Sequence, residues 1–333
     1  MRIRIPGKLF IGGEYAVLYG AHAVLAPVER CMTFDCVAAQ EDTFVSSMHG
    51  KLKLEKGQAV PETLLKAYRV ALDYLSLLAV PKKHFIIVVK SDLAHEGQKL
   101  GLGSSGALIV GIIQSILGFH GVTPDKERLF KLSVLSQKAM ADHASFADIA
   151  VAAYKSWILY RRFNLTVLKR LEASSLKTCL KMPWQGLRIQ PFQPGRLYAF
   201  AVNSLTPASS KALVQAFTRS FDKAKDGFLI DSMDRLSLRL YNELASPMNV
   251  TAIVDALEQG YEKLMHAGRL NVKTAALDAL IETIGTFHGS AKISGAGGGD
   301  CVLAFFEEET LYHDALEHFK HTQYPIIHLR RSQ

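Results

Sequence analysis

The run GLGSSG at 101–106 sets three glycines and two hydroxyls directly before an apolar stretch, a combination suited to holding phosphate. A phosphate needs closely spaced backbone N–H donors, and glycine lets the chain approach without a Cβ in the way. A helix N-terminus adds unsatisfied N–H groups and the positive end of the helix dipole. Lys99, Gly101, Leu102, Gly103, Ser104, Ser105 and Gly106 are therefore the candidate nucleotide-binding residues, and the Ser104 hydroxyl suits Mg²⁺, a hard cation that prefers oxygen. The same run fits G-x-G-x-x-G through Gly101, Gly103 and Gly106. Dinucleotide binding, however, expects an acid closing the next strand about 20 residues on, and here that window holds a helix start at Asp125. No Lys-Ser/Thr follows the glycines, so the Walker A pattern is also missing. Taken alone, the run reads nearly as well as a turn capping a core helix.

The elements around it follow from periodicity. Charge and Ile alternate over 2–5 as in a short strand, Pro6-Gly7 breaks it, and 8–17 resumes with a bend at Gly12-Gly13. Residues 23–45 are rich in Val, Thr and Phe and read as strands. Apolar residues at helical spacing fill 63–78, with Pro81 as a stop, and HFIIVVK at 84–90 is a strand. The apolar helix after the glycines covers 105–117. Thr123-Pro124-Asp125 reads as N-cap, proline at N1 and first-turn acid of a second helix that runs to about 141. A strand at 157–163 precedes an irregular, proline-bearing stretch at 164–195, the natural domain junction. The second half reads as a strand at 196–203, helices at 209–221, 231–244, 252–267 and 274–287, strands at 291–294 and 301–305, a helix at 308–319 and a strand at 325–329. This is an α+β layer pattern.

Composition narrows the class. The 333 residues are 49% hydrophobic and 21% charged, enough for a sizeable core without disulfides or metals. Cys31, Cys36, Cys179 and Cys301 lack metal-ligand or CxxC spacing, and His22, His95, His143 and His288 lack metal spacing as well. Reduced thiols in a cytoplasm are expected. The longest apolar stretch, 107–119, is shorter than the ~20 residues that span a bilayer, and no targeting segment is read. The net charge of +8 favours anionic small molecules. With the basic residues scattered, neither a nucleic-acid nor a membrane partner is expected.

Two further glycine-bearing runs flank the first: IPGKLFIGGEYAVLYG at 5–20 and KISGAGGGDCVLAFF at 292–306. In this order the three resemble the three motifs of the GHMP kinases, a family named for galactokinase, homoserine kinase, mevalonate kinase and phosphomevalonate kinase. The resemblance spans nearly the whole chain. Tyr15 after Gly13-Glu14, the stretch from Asp148 through Tyr160-Arg161-Arg162-Phe163, and SGAGGGDC at 294–301 resemble the phosphomevalonate kinase branch. Tyr19-Gly20-Ala21-His22-Ala23 is similar to mevalonate kinases.

The resemblance implies two domains, 1–165 and 166–333. The first would be a nucleotide-binding α/β domain of the ribosomal-protein-S5-domain-2-like type, the second a ferredoxin-like α+β domain, with the site in the cleft between them. It implies ATP and Mg²⁺ as cofactors and a phosphorylated or alcohol acceptor of the mevalonate (isoprenoid) pathway, in a cytoplasmic monomer or homodimer. Lys8 maps onto the lysine that reaches the transferring phosphoryl group and Asp148 onto the active-site aspartate, with Asp142 a rival acid. Ala144 and Phe146 flank Ser145 where the family usually has Gly. Gln137 stands where mevalonate kinases carry a metal-binding Glu. Glu14, Tyr15, Ser145, Ser209, Ser210, Gly297 and Gly298 are the implied substrate-side residues, and Asp300 reads as structural. A mevalonate kinase, another alcohol kinase of the family and a non-catalytic metabolite sensor remain the alternatives.

Overall fold

The computed structural model describes residues 1–47, 49–55, 60–137, 144–245 and 250–330. Asp142, His143 and the expected end of the second helix near 141 lie outside these. The chain opens with β1 (Arg2–Gly12), a 3-10 turn (Ala16–Tyr19) and the long β2 (His22–Ala38). Then come β3 (Thr43–Ser46), β4 (Gly50–Lys53), α1 (Glu62–Leu77), β5 (Phe85–Ser91), β6 (Ala94–His95) and β7 (Gln98–Lys99). Next are α2 (Ser104–Phe119), α3 (Lys126–Leu135), α4 (Ala147–Tyr154), β8 (Trp157–Arg161), α5 (Leu165–Glu172), α6 (Leu176–Lys181) and β9 (Arg188–Phe192). The second half comprises β10 (Tyr198–Asn203), α7 (Ser210–Ser220), α8 (Lys223–Ala245), α9 (Val250–Ala267), α10 (Ala275–Thr286), β11 (Ser290–Ser294), β12 (Cys301–Phe306), α11 (Glu309–Lys320) and β13 (Ile326–His328).

Two sheets organise these elements. The first runs β4-β3-β5-β2-β8-β9 with β1 added along β2, and the parallel β3–β5 pair makes it mixed. The second, β11-β12-β10-β13, is antiparallel throughout. Helix α2 is apolar on most of its circumference, as a core helix must be. It buries Ile109, Ile112, Ile113 and Ile116 beneath the first sheet. Burying those four aliphatic side chains contributes on the order of 1.5–3 kcal/mol each, which anchors the helix whose N-terminus carries the glycine run.

The halves are fastened at several points. Helix α8 packs on β1 and β2, and β1 also meets β11. The Ser294 hydroxyl donates to the Phe10 carbonyl at 2.9 Å and accepts the Phe10 N–H at 3.1 Å. His22 on β2 lies 2.8 Å from the Asp234 carboxylate on α8.

Three local readings change. Pro6-Gly7 does not end β1: the strand continues, with a register shift between Pro6 and Lys8. Pro6 faces Cys31 and Lys8 faces Pro27, so two residues that lack a backbone donor sit at the same place and a bulge is the natural outcome. The cap of α3 is Asp125, whose carboxylate accepts the Arg128 N–H at 2.7 Å, rather than Thr123. The stretch 164–195 is not irregular: it holds α5, α6 and β9, and β9 pairs with β8 from Trp157↔Phe192 to Arg161↔Arg188. A strand C-terminal to residue 166 thereby completes the first sheet. All four cysteines are free and buried. Among the described residues no helix is long and apolar enough to cross a membrane.

Candidate active site

The bulge in β1 has a chemical consequence. Released from the ladder, the Lys8 N–H donates to the Leu102 carbonyl in the glycine run at 2.9 Å. Leu102 itself is buried, so its side chain anchors the loop while its carbonyl ties down β1. The half-buried Lys8 side chain lies over the Phe10 ring, 5.0 Å from the centroid. It also passes so close to Gly103 that a Cβ there would come 2.9 Å from Lys8 Cγ and 3.1 Å from Asp148 Cβ. Lys8, the loop and Asp148 are thus in mutual contact. Helix α2 starts at Ser104 with no cap from the preceding residue, and of its first three N–H groups only that of Gly106 has an acceptor among the described residues, the Asp148 carboxylate.

Asp148 stands in the first turn of α4. Its Oδ2 accepts the Gly106 N–H at 3.0 Å and its Oδ1 the Ile149 N–H at 2.9 Å. Burial raises its carboxyl above the usual range, against the opposing pull of Lys8 and these two N–H groups. The turn before it explains how Phe replaces Gly. Phe146 is at φ 56°, in the left-handed region, and its buried ring stacks on Phe163 with centroids 5.7 Å apart. Aromatic burial offsets a backbone strain on the order of 1–3 kcal/mol.

The third motif supplies a residue that sequence reasoning set aside. Asp300, buried and at φ 63°, lies where any side chain on Gly101 would be. Burial raises its carboxyl too, opposed by Lys8 and by the Ala208 N–H, which donates to it. Its backbone is pinned on both sides: its N–H donates to Thr206 O at 2.9 Å and its carbonyl accepts the Ser204 N–H at 2.7 Å. The Asn203 amide reaches across to the Leu100 carbonyl at 3.1 Å. Two carboxylates, one from each half of the chain, thus flank one lysine at the glycine loop. Only an acid repeated inside a glycine motif could have pointed to Asp300 in advance.

Comparison with known proteins decides the family. Residues 62–156 match the family model of the GHMP kinases N terminal domain and residues 248–321 that of the GHMP kinases C terminal, which together take in just over half the chain. The chain belongs to the GHMP kinase superfamily. It is 27% identical to the phosphomevalonate kinase of Streptomyces sp. (strain CL190), covering 91% of this chain and 89% of that one. It is 24% identical to the mevalonate kinase of Methanocaldococcus jannaschii, with 93% of each covered. The Streptococcus pneumoniae phosphomevalonate kinase, solved in complex with phosphomevalonate and AMPPNP, superposes with a TM-score of 0.89 at 23% identity and full coverage of both chains.

As a GHMP kinase the chain is a phosphotransferase, and GHMP kinases generally use ATP and Mg²⁺. The donor chemistry fits such a group: the Asp148 and Asp300 carboxylates and the Ser104 hydroxyl are hard oxygen donors on the segments that meet at the glycine run, and the first N–H groups of α2 suit phosphate. The other expected residues have varied settings. Lys99 is exposed on β7. Ser145 lends its carbonyl to the Tyr160 hydroxyl at 2.6 Å. Ser209 caps α7, accepting the Ala212 N–H at 3.4 Å, and Ser210 is exposed in its first turn. Both follow Ala208, the donor to Asp300. The Gly298 N–H donates to the Val272 carbonyl at 2.6 Å, and Gly297 sits against Tyr261 and Val272.

Glu14 and Tyr15, expected on the substrate side, are both buried and hydrogen-bonded to the third motif and its strand. Glu14 is 2% exposed and paired at 2.5 Å with the fully buried Lys292 of β11, and the Tyr15 hydroxyl donates to the Ala296 carbonyl at 2.7 Å. A carboxylate and an ammonium without solvent must pair with each other. They fasten the first motif to the third, which positions the loop carrying Asp300.

Proposed function

We propose that this GHMP kinase transfers the γ-phosphoryl group of ATP to the phosphate of 5-phosphomevalonate, giving the diphosphate and ADP. The observation that carries this reading is the state of Asp148: each carboxylate oxygen already accepts a main-chain N–H. Such a carboxylate is built to orient its neighbours. An alcohol acceptor has a high pKa and profits from a general base, whereas a phosphate monoester, with a second pKa of ~6, is already a competent nucleophile at pH 7. Gln137 supports the same branch. Where mevalonate kinases place a metal-binding Glu, its buried amide nitrogen donates to the Ser136 carbonyl and hydroxyl at 3.0 and 3.1 Å. The Streptomyces and Streptococcus relatives are phosphomevalonate kinases, which agrees with this acceptor.

In this reading the N–H groups at the start of α2 cradle the nucleotide phosphates. An acceptor oxygen forms a bond to the γ-phosphorus while the bond from that phosphorus to the β–γ bridging oxygen breaks, and the electron pair leaves on ADP. Lys8 faces the equatorial oxygens, where charge spreads in the transition state. Bound Mg²⁺ would neutralise phosphate charge, held by Asp148, Asp300 and Ser104. Ser209 and Ser210, exposed beside Ala208, would meet the acceptor.

Asp148→Asn is the test. The amide oxygen still accepts one of the two N–H groups while its NH2 faces the other, so the variant should fold with a lowered melting temperature, and saturating ATP and Mg²⁺ isolate the effect on kcat. With phosphomevalonate, kcat should fall by about tenfold or less, below the 10²- to 10⁴-fold typical of a lost general base. A fall of 10³-fold or more with unchanged ATP affinity would contradict this role.

A further inference from the structure

An open cavity of about 730 Å³ lies at the seam of the two sheets, and neither the glycine run nor Lys8, Asp148 or Asp300 lines it. Its first wall carries Arg4 of β1, Trp157 of β8 and Lys155; its second carries Leu197, Tyr312 and Arg330. Helix α4 separates it from the active site, with Asp148 in its first turn and Lys155 just after its last residue. At 1.5 Å per residue those two positions are about 10 Å apart along the helix axis.

The charge in this cavity is unbalanced. Arg4, Lys155 and Arg330 are cationic, His328 adds a further nitrogen donor, and Glu29 is the one acid among the lining residues. Among the described residues none of the three cations shares an ion pair with a carboxylate. Lys155 is half-buried, and its ammonium is held below the usual lysine range first by that burial, then by the charge of Arg330. Like charges gathered in a concave, partly desolvated place repel one another unless an anion joins them.

The backbone that carries two of these cations is anchored. The Arg330 N–H donates to the Pro27 carbonyl at 2.8 Å, and its own carbonyl accepts the Trp157 indole N–H at 2.9 Å. The bridge Val28↔Leu329 holds the adjoining residue. Lys155 sits in the left-handed conformation at φ 55°, with its N–H on the Val151 carbonyl at 2.7 Å. Tyr312, Leu197 and Ala199 give the cavity an apolar side. Cationic side chains set against this smaller aromatic and aliphatic side suit a small anionic molecule with an apolar part.

We propose that this cavity is a second anion site. It takes a small phosphate- or diphosphate-bearing molecule whose head lies among Arg4, Lys155 and Arg330 and whose body rests on Tyr312 and Leu197. A ligand there bridges the two halves of the chain.

Calorimetric titration of the full chain with inorganic pyrophosphate, with the nucleotide site filled by saturating non-hydrolysable ATP analogue, tests this. The wild type should still bind one pyrophosphate per chain, and K155Q/R330Q should bind it at least tenfold more weakly. Without ligand the double variant should melt no lower than the wild type, since a repulsion has been removed, and should release ADP within twofold of the wild-type rate. If the double variant does not fold, Arg4→Gln, on the exposed edge of the cavity, should weaken pyrophosphate at least threefold. Absence of binding once the nucleotide site is filled, or undiminished affinity in the folded variants, would overturn the proposal. Neither result depends on which acceptor the active site takes.

Discussion

Replacing Lys8 with Met should lower kcat by about 10²- to 10³-fold with little change in the KM for ATP, the size expected when one preorganised positive group is removed from a charge-developing transition state. Lys8 is the positive group that both Asp148 and Asp300 feel, and Met retains most of its volume against Phe10 and Gly103. The sign of a second effect is also fixed. Lys8 pulls both carboxyls down against burial, so its loss lets both rise further. If either must be ionised for turnover, the acid limb of the kcat–pH profile moves to higher pH in the variant. Steady-state profiles of the two proteins measure both effects. An unchanged kcat would remove Lys8 from the chemistry.

Gly101→Ala should unfold the site rather than merely slow it. Gly101 is at φ 69°, and an added Cβ would overlap the Asp300 carboxyl group. The residue must leave the left-handed region or Asp300 must move, and Asp300 is pinned by Thr206, Ser204 and Ala208. A loss of roughly 2–4 kcal/mol is expected from strain and overlap together. Gly97 is the matched control, at φ 82° with open space around its Cβ position. Gly97→Ala should cost about 1 kcal/mol, the backbone term alone. Chemical denaturation of both variants compares them, and equal losses would mean that the Gly101–Asp300 approach carries no weight.

Local chemistry made much of the fold readable. The period of the apolar residues placed α1, α2 and β5 to within a residue or two, because each buries one continuous stripe or strand. The three glycine motifs could be read from residue type and order, and Lys8 and Asp148 were singled out through the family resemblance those motifs carry. What escaped depended on distant partners. The two prolines at the β1 bulge lie on different strands, Pro6 opposite Cys31 and Pro27 opposite Lys8, and neither announces in sequence that the Lys8 N–H will be handed to Leu102. Asp300 acquires its place only because Asn203, Ser204 and Thr206 bring its loop to Leu100 and Gly101. Glu14 and Tyr15 stand inside a motif, yet Lys292 and Ala296, nearly 280 residues away, turn them inward. β9 was hidden because Pro191 and Pro194 mark turns as readily as an edge strand. Phe146 is the converse case: the expected demand for glycine-like torsions is met, at φ 56°, by a residue that stacking holds there.

The central claim is the identity of the acceptor, and ADP release measured over equal concentrations of 5-phosphomevalonate and mevalonate tests it most directly. The kcat/KM should be at least 10²-fold higher for phosphomevalonate, with a diphosphate product, because the site supplies positive charge and orientation for an acceptor that needs no deprotonation. Faster turnover of mevalonate would contradict it and make Asp148 a general base after all. ATP binding without turnover of any acceptor would contradict it differently, leaving a sensor built on a kinase fold.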